Sequence, residues 1–89
     1  MTAAYDTDAL WDDLRQIASA LGAHVDPHGL IHVEAAGDRF VLVDHDEEFR
    51  VGLYERDHDL ALVMIETPTV GYAVEAARVL SRPGVEVSR

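Results

Sequence analysis

Arg39-Phe40-Val41-Leu42-Val43-Asp44-His45-Asp46-Glu47-Glu48-Phe49-Arg50-Val51-Gly52-Leu53-Tyr54-Glu55 is the stretch whose reading decides the fold. Two apolar runs of strand length flank a short acidic turn, which is the pattern of an antiparallel hairpin. In the second run Phe49, Val51 and Leu53 alternate with Arg50, Gly52 and Tyr54, so one sheet face is apolar and the other mixed. The first run, Phe40 to Val43, is apolar on both faces.

Working outward, the same grammar repeats. Ala23-His24-Val25 leads into Asp26-Pro27-His28-Gly29, with Asp, Pro and Gly at the positions a type I turn favours. Leu30 to Ala35 follows, then a turn at Ala36-Gly37-Asp38. Downstream, Asp57-His58-Asp59 precedes a further run, Leu60 to Glu66. Loops this short join neighbouring strands, so the spacing predicts an antiparallel meander of four to five strands. Two helical patterns bracket it. Leu10, Leu14, Ile17, Ala18 and Leu21 mark one face of a helix from about Asp6 to Leu21, capped by Asp6 or Thr7 and stopped by Gly22. Asp8, Asp12 and Asp13 fall in its first two turns, where the nearer acids complement the helix dipole. Val70, Ala73, Val74, Ala77 and Leu80 mark a second helix, opened by Thr67-Pro68-Thr69 and closed at Pro83-Gly84, with Val85-Glu86-Val87 as a tail or a short added strand. The expected fold is α+β, a single domain over residues 1–89, with both helices packed on one sheet face.

Composition narrows the function. With 89 residues, 48% apolar and no cysteine, the chain is one small globular unit without disulfides, thiolate metal sites or cysteine catalysis. The N-terminal Met1-Thr2-Ala3-Ala4-Tyr5-Asp6 lacks the basic patch and apolar core of a signal peptide, and no apolar run approaches the roughly 20 residues that span a bilayer, so a cytoplasmic location is expected. A formal charge of −10, with every basic residue a scattered arginine, opposes binding to a phosphate backbone. The same excess keeps a protein soluble and steers it toward a basic partner.

The tripeptide Asp-His-Asp occurs twice, at Asp44-His45-Asp46 and Asp57-His58-Asp59. Successive meander turns point to opposite sheet ends, and the intervening strand separates these two by roughly 20 Å. They therefore form no shared metal site. The first copy has better company, because the Asp26-to-Gly29 turn points to the same end. Asp26, Asp44, Asp46, Glu47 and Glu48 are the candidate partner-binding residues, with His28 and His45 among them. The histidines would also suit a ligand- or metal-binding regulatory role, although no EF-hand spacing is present. His24, His28 and His32 recur every fourth residue, but Pro27 and Gly29 break any helix there. In a strand, His32 and Glu34 share one face and solvate it. Ser19, Ser81 and Ser88 lie in no nucleophile elbow, glycines form no phosphate loop, and Trp11, Tyr54 and Tyr72 read as core or rim aromatics. No enzyme activity, cofactor or metal is expected. The long apolar run Leu60 to Ile65 would stand at a sheet edge, which predicts a homodimer through that strand or the open sheet face unless the C-terminal tail covers the edge.

The run Gly37 to Asp44, with Glu55-Arg56-Asp57 and Glu66-Thr67 before a final helix, resembles small bacterial toxin-immunity proteins over about half of the chain. The resemblance implies an acidic protein of one sheet and few helices that covers a toxin's catalytic surface, and it transfers no functional residue. The expected function is a non-enzymatic acidic interaction domain that neutralises or escorts a basic protein, in the manner of an immunity protein, an antitoxin or a secretion chaperone.

Overall fold

The computed structural model describes residues 7–83. The elements run α1 (Thr7–Leu21), β1 (Ile31–Glu34), β2 (Arg39–His45), β3 (Phe49–Glu55), β4 (Val63–Thr67) and α2 (Val70–Ser81). The four strands form one antiparallel sheet in sequence order, with β1 and β4 at its edges. The capping alternative at Asp6 and the tail at Val85 to Val87 lie outside the described residues.

The expected α+β meander is present, with two corrections. Ala23-His24-Val25 is not a fifth strand, because only Val25 pairs, in a single bridge to Ile31. A Schellman-type ending explains this. Gly22 takes φ +68°, its N–H bonds to the Ser19 carbonyl and the Ala23 N–H bonds to Ala18. That ending holds Ala23 against α1, and the turn begins three residues later. The last strand starts at Val63 instead of Leu60. Asp57 sits at φ +66°, and the chain rejoins the sheet only where the Leu62 N–H meets the Leu53 carbonyl at 2.7 Å. Leu60 is left 82% exposed.

Alternation places Ile31, Val41, Val43, Phe49, Val51 and Leu53 on the buried face, each at most 1% exposed. Leu14, Ile17 and Ala18 of α1 and Ala73, Val74, Ala77 and Leu80 of α2 pack over them in one cluster. Small residues on α2 let it lie close to β2 and β3. Thr69 caps α2 by accepting the Tyr72 N–H at 3.3 Å, so Pro68 precedes the cap and does not occupy the first helical position. Arg78 reaches across to the Ala20 carbonyl at 3.3 Å and ties α2 to the end of α1. No helix among the described residues is long and apolar enough to cross a membrane.

Candidate interaction surface

The face of the sheet away from the helices carries His32 and Glu34 from β1, Phe40, Leu42 and Asp44 from β2, Arg50, Gly52 and Tyr54 from β3, and Met64 and Glu66 from β4. Register sets them in rows. Glu34, Phe40 and Tyr54 lie side by side, then His32, Leu42, Gly52 and Met64, then Asp44, Arg50 and Glu66. No described element covers this face.

Its centre is apolar and aromatic. The His32 ring stacks on Phe40 at 4.7 Å between centroids, and Phe40 stacks on Tyr54 at 5.4 Å. Tyr54 then leans over Gly52. A Cβ there would come within 2.8 Å of the Tyr54 ring and 3.0 Å of the Met64 methyl, so glycine admits both side chains over the strand. Met64 remains 45% exposed.

Charged groups close both ends of the strip. At one end Arg50 donates from Nε to Asp44 Oδ1 at 3.0 Å and from Nη2 to Oδ2 at 2.6 Å. This two-pronged bond holds the guanidinium above its ordinary pKa, with Asp46 adding charge from 3.8 Å. At the other end Arg56 bonds Glu34, and its Nε meets Asp38 Oδ1 at 3.1 Å. His32 lies 3.0 Å from the same Glu34, whose carboxyl is pushed down by the imidazole bond first and by Arg56 second.

The five expected partner-binding acids gather at the first of these ends but divide by occupation. Asp26 is spent on its own turn, since one oxygen accepts the N–H groups of His28 at 2.8 Å and Leu30 at 2.9 Å. The Leu30 bond chiefly lowers its pKa. Asp44 is held by Arg50. Asp46, Glu47 and Glu48 form the tip of the β2–β3 hairpin, where the Asp46 N–H bonds the Glu48 carbonyl at 3.0 Å and all three side chains are exposed.

The two turns do meet, around Trp11, which the sequence offered only as a core or rim aromatic. Leu10, Trp11 and Leu14 of α1 face His28, Gly29, Leu30, Asp44 and His45 across a hollow of about 240 Å³. His45 packs edge-on against Phe49 at 4.8 Å. Among the described residues no group of three or more acids and histidines is placed to hold a metal ion. The second Asp-His-Asp lies at the opposite sheet end, where the His58 Nδ1 bonds the Arg56 carbonyl at 3.1 Å.

The architecture is thus an open-faced α+β sandwich, two helices on one side of a four-stranded meander and a bare aromatic strip on the other. Comparisons with protein-family models, with curated proteins and with solved structures found no match.

Proposed function

We propose that this chain is a non-enzymatic acidic interaction domain that binds, and so neutralises or escorts, a basic protein, as toxin-immunity proteins, antitoxins and secretion chaperones do. One observation carries this reading. The exposed acids Asp46, Glu47 and Glu48 stand at the end of a bare sheet face whose centre is Phe40, Leu42, Tyr54 and Met64. An apolar centre with a charged rim is the anatomy of a specific interface. The rim sets encounter rate and orientation, and the centre sets lifetime. Asp26 and Asp44 then contribute field while their oxygens stay bound within the molecule. A cytoplasmic location and the absence of nucleic-acid or membrane partners belong to the same proposal.

The test is capture from source lysate by the immobilised chain at low and at high salt. A basic protein should be retained in stoichiometric amount at low salt and released at high salt. Neutralising the hairpin tip (Asp46→Asn, Glu47→Gln, Glu48→Gln) should slow its association about tenfold, since rim charges act on the on-rate. Capture of the same proteins in the same yield by the neutralised variant, independent of salt, would sink the proposal.

A second reading draws on the hollow beside Trp11, which brings two histidines and an indole together as a small-ligand site would. It makes the chain a regulatory domain for a metabolite. Thermal shift separates the two, because a ligand at 100 times its dissociation constant stabilises by roughly 2.7 kcal/mol.

A further inference from the structure

β4 is an edge strand, paired with β3 on one side and packed against α2, and among the described residues no strand pairs its other side. The effect shows in its inward side chains. Val63 and Ile65 stand opposite Leu53 and Val51, which are fully buried, yet they are themselves only half-buried. A further strand beside β4 is what would cover them. On the bare face Met64 is 45% exposed, and Glu66 follows it two residues on. β4 contains no proline and no inward-facing charge, two of the devices that keep an edge from pairing. Leu60, 82% exposed, sits in the connection that leads into the strand.

The chain segment that builds this edge carries charge of one sign. From Asp57 to Ala77 the charged residues are Asp57, Asp59, Glu66 and Glu75, with no arginine among them. The cations next to it in sequence or register are engaged elsewhere. Arg50, opposite Glu66, gives both prongs of its guanidinium to Asp44, with Asp46 at 3.8 Å. Arg56 bonds Glu34 and Asp38, and Arg78 reaches the Ala20 carbonyl on α1. Glu66 makes no ion pair with any described residue.

We infer, on the reading of the chain as a binder of basic proteins, that β4 receives an extended basic segment of the partner, which adds to the sheet as a fifth strand. Backbone N–H and C=O groups of the edge supply affinity without regard to sequence, and the two faces supply selection. On the inner face the added strand sets apolar side chains against Val63 and Ile65. On the outer face it sets cationic side chains beside Met64 and Glu66, because side chains alternate with a period of two. The recognised segment is therefore an alternation of apolar residues with arginine or lysine, matched to the five residues of β4. Charge selects this occupant over a second copy, whose acids would approach acids of the same segment. Thr67 pairs with Phe49, so the Glu66 end of β4 adjoins the acidic hairpin tip, and the added strand extends the bare face without covering it. Tip and edge then act on one partner from adjoining surfaces.

The probe is a synthetic peptide, acetyl-Arg-Val-Arg-Val-Arg-Val-Arg-amide, read by amide hydrogen exchange of the full chain. Bound peptide should slow exchange at those β4 amides that are not paired with β3 and exchange fast in the unbound chain. A control N-methylated at every backbone nitrogen keeps the charge but cannot donate. It should bind about tenfold or more weakly, since at least two backbone hydrogen bonds are lost. Glu66→Lys changes an exposed position and should weaken binding of the arginine peptide about tenfold, with the circular dichroism spectrum unchanged. The same variant should bind more tightly a peptide carrying glutamate in place of arginine. Equal binding of the two arginine peptides means attraction by charge alone and overturns the inference. No binding up to about 1 mM at about 0.15 M salt overturns it too, as does β4 exchange that the peptide leaves unchanged. Protection of every β4 amide before peptide is added overturns it equally, because the edge is then already held by the chain itself or by a second copy. Lysate capture that still depends on the hairpin tip, without peptide binding, removes the strand addition alone. Peptide binding with no basic protein captured removes the proposed function instead.

Discussion

Asp26 and Glu34 are acids whose surroundings favour the charged form by different means. Backbone N–H groups do so for Asp26, led by Leu30, and side chains do so for Glu34, led by His32 and then Arg56. Both carboxyls lie below their ordinary range, so the unfolded chain takes up their protons first as pH falls. Their contribution to stability is therefore complete above the unfolded values of about 4 and is lost as pH drops through the native ones. Urea midpoints should hold level from neutrality to about pH 5 and fall steeply below about pH 4, with Asp26→Asn flattening part of that limb. An Asp26 carboxyl titrating at or above about 4 in an NMR pH series would show that its turn bonds are absent in solution. The Asp26 turn was legible from four residues because its chemistry is local. The Arg50 clamp on Asp44 was not, because the two meet only through hairpin register.

At the scale of elements, β2 and β3 each show one face to the helices and one to solvent, and a pair of phenylalanines exposes the difference. Phe49 is 1% exposed and packs in the central cluster, whereas Phe40 lies on the bare face between His32 and Tyr54. Phe49→Ala should cost about 3–5 kcal/mol in equilibrium unfolding. Phe40→Ala should cost about 1 kcal/mol, the worth of its stacking, while weakening the capture of a basic protein. Equal costs for the two would mean that the outer face is covered in solution. Alternation in Phe49 to Tyr54 predicted the inward side of Phe49, since a period of two survives any tertiary context that keeps the strand, whereas Phe40 to Val43 is apolar on both faces and only its register opposite Tyr54 sets Phe40 outward. The fate of Leu60 to Leu62 could not be read in the same way. A run apolar on both faces looks like strand throughout, and only the left-handed Asp57 and the bond from Leu62 to Leu53 determine where pairing begins.

Over the whole molecule, charge opposes compactness. Arg15, Arg50 and Arg56 are each within ion-pair distance of acids, and the formal balance is still −10. Raising salt from about 10 mM to about 0.15 M shortens the screening length from about 30 to about 8 Å, which quiets repulsion between distant acids more than attraction within contact pairs. The thermal midpoint should therefore rise over that range. A fall would mean that the local pairs outweigh the self-repulsion.

The chain's own order of residues determined the two helices, the antiparallel meander and the acidic character, because periodicity, capping and turn chemistry act between residues close in sequence. Sequence also placed Asp26 and Asp44 to Glu48 at one end, since turn direction alternates along a meander. Tertiary structure alone decided which of those acids are occupied, that Trp11 closes a hollow between the two turns, and that Tyr54 and Met64 lie over Gly52 on a bare face. Those outcomes depend on strand register and on where α1 docks against the two turns, and both are set by packing between segments far apart in the chain.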